Sequence, residues 1–322
     1  MEQDRSDRLV AKGRVWYCRP GSNSDDSTGF HNTGQTLGEP YDVAIIGAGV
    51  VGCALAYRLS QYQVRVLLID RHFDVGEDTS KANSAIIHTG FDATPDSLES
   101  RLVTGASRLW PQLAEKLKIP FDPISALLVA LDQEQADQLG ALHKKALANG
   151  VDDVEVVDAA KARQIEPNAG SDVRGGLLVP RESIVDPFTV SIAFAEVAVA
   201  NGVDILLGST VVGIKDAERT VKTIVDNAGR RINAGIIVNV AGLGSRAITQ
   251  SHGGELFDIN PRRGQFLIFD KSHRGLVNRI LLPVPTATTK GKLVTPTIFG
   301  NLLAGPTAED LPPGDDTATF TT

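Results

Sequence analysis

The chain has 322 residues, 42% of them hydrophobic, and a formal charge of −7. That length supports two domains around a sizeable core, and an acidic balance without a clustered basic patch argues against a nucleic-acid surface. Its two cysteines, Cys18 and Cys53, form no CxxC pair, so no disulfide framework or metal site is expected. No long apolar run offers a transmembrane segment, and a cytoplasmic chain is the expectation.

Residues 1–40 mix charges of both signs with Pro20, Gly21 and several serines. They carry neither a helical nor a strand period, so a disordered extension is expected there. Residues 43–46 then form a short apolar run suited to a strand buried on both faces of a parallel sheet. The run leads into Gly47-Ala48-Gly49-Val50-Val51-Gly52, which fits G-x-G-x-x-G. A helical apolar pattern follows (Val50, Val51, Ala54, Leu55, Leu59), then a second buried strand over 64–69 closing on Asp70. Gly47 permits the tight turn, Gly49 lets a pyrophosphate approach the backbone, and Gly52 lets the helix pack close to the strand. The helix N-terminus offers N–H groups and the positive end of a dipole. Asp70 lies 23 residues beyond Gly47, where an acid can take ribose hydroxyls. The framed motif reads as a dinucleotide site. A glycine turn in an ordinary βαβ unit is the plainer alternative.

Residues 76–92 are rich in small and hydroxyl side chains before Ala85-Ile86-Ile87-His88. As an isolated string, Thr79, Ser80, Asn83 and Ser84 read first as helix-capping residues and second as a polar ligand lining. Periodicity predicts a helix over 98–117 ended by Pro120, a strand over 125–131 and an amphipathic helix over 134–149 stopped by Gly150. A strand over 154–157 and a short helix over 158–165, capped by Asp158, come next. Beyond them the pattern predicts a strand over 175–179, a helix over 187–201, and β-type runs over 203–207, 210–214 and 220–226. A turn at Ala228-Gly229 precedes a buried strand over 236–240, which runs into Ala241-Gly242-Leu243-Gly244-Ser245. This second strand-to-glycine turn also exposes backbone N–H groups, and suggests one sheet assembled from non-contiguous chain. Residues 266–303 alternate as an antiparallel sheet does, with Pro283, Pro285 and Pro296 placing those strands at edges or making them irregular.

Four blocks in order, DVAIIGAGVVGCALAYRLS with LLIDR, TSKANSAIIHTGFD, IIVNVAGLGS, and PRRGQFLIFDK with TKGKLVTPTIFGNLLAGP, give the chain a family likeness. It resembles the FAD-dependent oxidoreductases of the D-amino-acid oxidase superfamily, within it the branch of glycerol-3-phosphate dehydrogenases and L-2-hydroxyglutarate oxidases. The resemblance implies an α/β fold. A Rossmann-like FAD-binding domain would comprise residues 41–97 and 170–252. An α+β substrate domain with a mostly antiparallel sheet would comprise 98–169 and 253–308, followed by a polar tail over 309–322.

In such a protein FAD would lie on Gly47, Gly49 and Gly52. Asp70 and Arg71 would hold the adenosine ribose and its neighbouring edge. Ser80, Asn83 and Ser84 would contact pyrophosphate and isoalloxazine, the backbone of Val211 would meet the adenine, and Ala241 and Gly242 would border the cofactor. His88 would serve either as the base for a substrate hydroxyl or as a hydrogen-bonding neighbour of the flavin. Arg263, beside Gly264, would either clamp a carboxylate or phosphate or form an ion pair. Lys290 and Thr295 are secondary candidates.

The implied reaction is hydride transfer from a small anionic hydroxy compound to flavin N5, the substrate being glycerol-3-phosphate or a 2-hydroxy acid such as 2-hydroxyglutarate. Oxygen, a partner protein or a membrane quinone could accept the electrons, the last placing the protein at the membrane periphery. Family members continue past the GP element into a further strand and helix. The alternatives are therefore a truncated fragment or a subunit completed by a partner chain, and, from the fingerprint and Asp70 alone, an NAD-linked dehydrogenase.

Overall fold

A computed structural model describes residues 14–17, 38–216, 221–285 and 291–312. The chain forms two compact units, one from the residues up to Asn83 with Pro187–Pro261, the other from Ser84–Asp186 with the residues from Arg262 onward.

The first unit is built on a seven-stranded sheet in the order Val15–Tyr17, Asp204–Leu207, Val66–Ile69, Tyr41–Ile46, Arg231–Asn239, Lys222–Asp226, Val211–Asp216. The first five strands run parallel, and the last two join as an antiparallel meander. The continuous apolar runs have the burial their composition requires: Ala44, Ile45, Leu67 and Leu68 are wholly inaccessible. Each of the isoleucine and leucine side chains contributes about 1.5–3 kcal/mol through burial. Helices Val50–Leu59 and Pro187–Ala200 pack together, with the rings of Tyr57 and Phe194 5.3 Å apart. Ile46, Ile69, Leu206, Ile224 and Ile232 form a further core cluster, joined by Ile248 of the helix Ser245–Ser251.

Val15–Tyr17 departs from the expectation of an extension outside the fold. These residues pair in register with Ile205, Leu206 and Leu207, and the Arg14 N–H donates to Asp204 Oδ1 at 3.0 Å. Val-Trp-Tyr is a strong strand-forming triplet, but three residues among charged neighbours are too few to show a period. Asp204 also accepts the Tyr41 hydroxyl at 2.9 Å; burial, then the charge of Asp204, pushes the Tyr41 phenol above its ordinary range.

The second unit has a seven-stranded sheet in the order Leu267–Phe269, Leu302–Gly305, Leu293–Pro296, Ile280–Pro283, Ala126–Ala130, Gly175–Val179, Glu155–Asp158. Every neighbouring pair is antiparallel except Ile280–Pro283 with Ala126–Ala130. On one face Leu128, Leu177 and Ile280 pack with Leu139 and Ala146 of the helix Gln133–Ala148. On the other, Leu127, Val129 and Val157 pack with Ala162 of the helix Ala159–Ile165. Asp132 and Asp158 cap these helices, accepting the Gln135 and Lys161 N–H groups at 2.8 Å. A small three-stranded sheet orders Ile86–Ile87, Ser183–Val185 and Phe121–Asp122.

Three details differ from the sequence-based expectation. Residues 84–97 and 170–186 belong to the second unit, because Ile86–Ile87 pairs with Ser183–Val185 and Gly175–Val179 pairs with Ala126–Ala130, whereas 253–261 belong to the first. The helix expected over 98–117 is two helices, Leu98–Ser107 and Trp110–Leu117. Pro111 explains the break, since it lacks an N–H and its ring would strike the carbonyl of Ser107 in a continuous helix. Pro283 and Pro296 end strands inside the sheet, so the edge arm of that expectation fails while the irregular arm holds, the ladder between those strands shrinking to Leu281 opposite Val294.

Candidate functional site

In the first unit the glycine turn follows from backbone geometry. Gly47 adopts φ +112°, and a β-carbon there would lie 2.5 Å from the Val240 carbonyl oxygen. The two strand-to-glycine turns therefore touch, Gly47 resting on Val240 and Ala241. Gly49 precedes the helix and has no capping side chain of its own, so Ser80 supplies one, its Oγ accepting the Val50 N–H at 2.9 Å. Asn83 closes the loop that presents Ser80, its Nδ2 donating to the carbonyls of Thr79 and Ser80 at 3.0 and 2.9 Å.

Asp70 sits where the fingerprint requires an acid, and both its oxygens hold backbone. Oδ2 accepts the Ala48 N–H at 2.6 Å and Oδ1 the His72 N–H at 2.8 Å. A carboxylate has further lone pairs, so ribose hydroxyls remain compatible with this role. Arg71 donates to Asp78 Oδ2 at 2.9 Å. His72 Nε2 lies 3.0 Å from that same oxygen and 3.1 Å from Arg71 Nε; one nitrogen cannot donate to the first and accept from the second at once. Burial opposes ionisation of Asp78, but the hydrogen bonds from His72 and Arg71 outweigh it and hold the carboxyl below its usual range. Val211 is buried and opens the meander beside a bulge, opposite Asp226. Ala241 leads into the turn Gly242–Gly244, where Gly242 takes φ +54° and a β-carbon would meet open space.

In the second unit, His88 stands beside Glu182, a residue that sequence reasoning did not single out. His88 Nδ1 lies 2.8 Å from Glu182 Oε2, and Glu182 Oε1 accepts both the N–H and the hydroxyl of Thr89, at 2.7 and 2.9 Å. Ser84 is half-buried at the start of this unit. Arg263 pairs across a two-residue ladder with Glu309, Nη1 to Oε2 at 3.3 Å, so a substrate anion would compete with that carboxylate. Thr295 is wholly buried and donates to the Pro296 carbonyl at 3.0 Å. Lys290 lies outside the described residues. Among the described residues no cluster of His, Cys, Asp and Glu could hold a metal ion, and no helix is long and apolar enough to cross a membrane.

The residues of the first unit fit a dinucleotide. The glycine cradle cannot accept side chains at Gly47 or Gly52, a helix N-terminus opens on it, and an acid closes the second strand. Fold and site define the class, an α/β protein whose first unit carries a dinucleotide-type glycine fingerprint and whose second unit is largely antiparallel. The model of the DAO family, FAD dependent oxidoreductase, matches residues 42–322, and the chain belongs to that family.

A glycerol 3-phosphate dehydrogenase from Caloramator mitchellensis is 39% identical over 271 residues, covering 84% of this chain and 56% of that protein. The glycerol 3-phosphate oxidase of Mycoplasma pneumoniae is 31% identical over 277 residues, covering 84% and 72%. The mitochondrial L-2-hydroxyglutarate dehydrogenase of Caenorhabditis briggsae is 30% identical over 277 residues, covering 83% and 63%. Among solved structures, dithionite-reduced L-α-glycerophosphate oxidase from Mycoplasma pneumoniae with FAD bound matches at a TM-score of 0.79 and 30% identity, over 87% of this chain and 73% of that one. The chain thus spans little more than half the length of the Caloramator protein.

Proposed function

We propose that this chain carries the FAD cradle and the base of an enzyme that oxidises a small anionic hydroxy compound, glycerol 3-phosphate first and a 2-hydroxy acid second. The observation that carries the reading is His88, fixed by a buried carboxylate in a chain that also holds the glycine cradle. The names of the Caloramator and Mycoplasma relatives support the choice of substrate class.

Gly47, Gly49, Gly52 and the N-terminus of the helix Val50–Leu59 would hold the pyrophosphate, and Asp70 with Arg71 the ribose. Ser80 and Asn83 shape the loop beside it, and Ser84, Val211, Ala241 and Gly242 would complete its border. Bound FAD supplies a two-electron acceptor. His88 would take the hydroxyl proton, and Arg263 would hold the substrate anion after releasing Glu309.

The test is the visible spectrum of the full chain with FAD, followed by anaerobic addition of glycerol 3-phosphate or L-2-hydroxyglutarate. A flavin spectrum that survives gel filtration and bleaches with one of them supports the reading. A colourless chain that does not retain FAD overturns it, and stabilisation by NAD instead would redirect it to a nicotinamide enzyme. Re-oxidation by oxygen, against re-oxidation by a quinone, identifies the electron acceptor.

A second reading, that another segment or a partner chain completes the FAD-binding sheet, is favoured by one strand edge. The end of Arg231–Asn239 pairs with Tyr41–Ile46 on one side, while on the other the ladder stops at Ala234 among the described residues.

A further inference from the structure

We infer that Glu182 is a positioning residue for His88: it keeps the ring proton on Nδ1, so that Nε2 carries the lone pair that accepts the substrate's hydroxyl proton. The inference rests on the reading of His88 as the base.

Strand register creates the pair. Ile86 lies opposite Ile184 and Ile87 opposite Ser183 in an antiparallel ladder. One further step along the same register brings His88 opposite Glu182, although the two are 94 residues apart in sequence. The environments of the partners differ sharply, for the Glu182 side chain is 0% exposed and that of His88 46%. Thr89 fixes the carboxylate by two hydrogen bonds to Oε1, which turns Oε2 toward the imidazole. The adjacent cation does not neutralise Glu182. Arg181 directs its guanidinium to Asp153 instead, through two 2.8 Å bonds.

The chemistry follows from what each atom can do. An ionised carboxylate only accepts hydrogen bonds, so Nδ1 must donate, and a neutral imidazole protonated at Nδ1 has its lone pair on Nε2. When the substrate is oxidised, its O–H bond breaks and the proton passes to Nε2. The oxygen's electron pair becomes the second bond of the carbonyl as the C–H bond breaks, and that hydrogen leaves with both bonding electrons as a hydride, which bound FAD would accept. The imidazolium so formed lies against a carboxylate already oriented toward it. Glu182 orients the ring and stands outside the proton transfer itself, the division of roles that an acid–histidine pair shows in other enzymes.

Glu182→Gln is the decisive variant. Its amide can still accept from Thr89, but it then presents an NH₂ to Nδ1 and drives the ring proton to Nε2. Nitrogen-15 correlation spectra of the full chain, labelled at histidine, read the tautomer directly and require neither substrate nor flavin. The expected result is Nδ1–H for His88 in the wild-type chain, Nε2–H in E182Q, and return to Nδ1–H in Glu182→Asp. Anaerobic flavin reduction in E182Q should fall by roughly a hundred- to ten-thousand-fold, in the rate at saturating substrate rather than in KM.

Nε2–H in the wild-type chain overturns the proposal, as does an E182Q variant with unchanged tautomer and rate. If E182Q does not fold, the wild-type spectrum and Glu182→Asp still decide. His88→Asn separates the two layers. Wild-type reduction by that variant would sink the base reading while leaving the tautomer result to judge Glu182. Loss of reduction in His88→Asn with full reduction in E182Q would sink the Glu182 proposal alone.

Discussion

Gly52 faces Gly47 so closely that a β-carbon on the first would stand 1.9 Å from the carbonyl oxygen of the second. The obstacle is backbone, which cannot rotate away as a side chain could. Gly52→Ala should therefore destabilise the chain by about 1–3 kcal/mol, as overpacking does. The first helix would also be pushed off its strand, and retention of FAD should be lost. Thermal unfolding and flavin fluorescence after gel filtration check both effects.

Asp70 fastens the glycine turn to the end of the second strand through the Ala48 and His72 N–H groups. Asp70→Asn leaves one of these donors facing an amide NH₂. The expected cost is about 1–3 kcal/mol, and it should be measurable in the chain without FAD. Denaturant unfolding of the cofactor-free chain is the measurement. An unchanged midpoint would mean that Asp70 serves the ligand alone.

Asp153 supplies a pH dependence. The hydrogen bonds from Arg181, supported by its charge, hold the Asp153 carboxyl below its ordinary value despite partial burial. A carboxylate with a depressed folded pKa stabilises the fold above its unfolded pKa, near 3.9, and loses that contribution as pH falls through the lower folded value. Both side chains are about one-third exposed, so solvent screening limits the effect to at most about 1 kcal/mol. Asp153→Asn should lower the melting temperature at pH 6, and the difference from wild type should shrink as pH falls below the unfolded carboxylate value near 3.9.

Cys53 is wholly buried, and its thiol donates to the Ala48 carbonyl at 3.2 Å. Burial, with smaller contributions from Asp70 and Asp74, pushes the thiol up to about 12. In a Cys18→Ser chain the remaining thiol should not react with a disulfide reagent at pH 8, and should react fully once the chain is unfolded. Rapid labelling of the native chain would contradict the packing around the first helix.

What could be read from the sequence depended on how far apart the interacting residues lie. Gly47 and Gly52 were legible because their constraint is local, a turn and a close approach within six residues. Asp158 was legible as a cap because Lys161 is three positions away. Ser80 was ambiguous between capping and ligand contact, and it caps a helix that begins thirty residues earlier. The Glu309 partner of Arg263 lies 46 residues away on a two-residue ladder that leaves no periodic trace. Glu182 was invisible for the same reason, since its meaning arises only when two short strands are aligned. Val15–Tyr17 was missed because its partner strand begins at Asp204.

The first sheet sets Leu67 beside Asp204 in its parallel pairing. On the ribosome the earlier strand must therefore wait for its neighbour. At about 5–20 residues per second, that interval is roughly seven to twenty-seven seconds. Throughout it the wholly apolar edge Val66–Ile69 stands uncovered in the nascent chain. Sheets closed by such distant partners form slowly and are open to mispairing while they wait. The yield of folded protein should thus respond to translation speed and to chaperones that shield that strand.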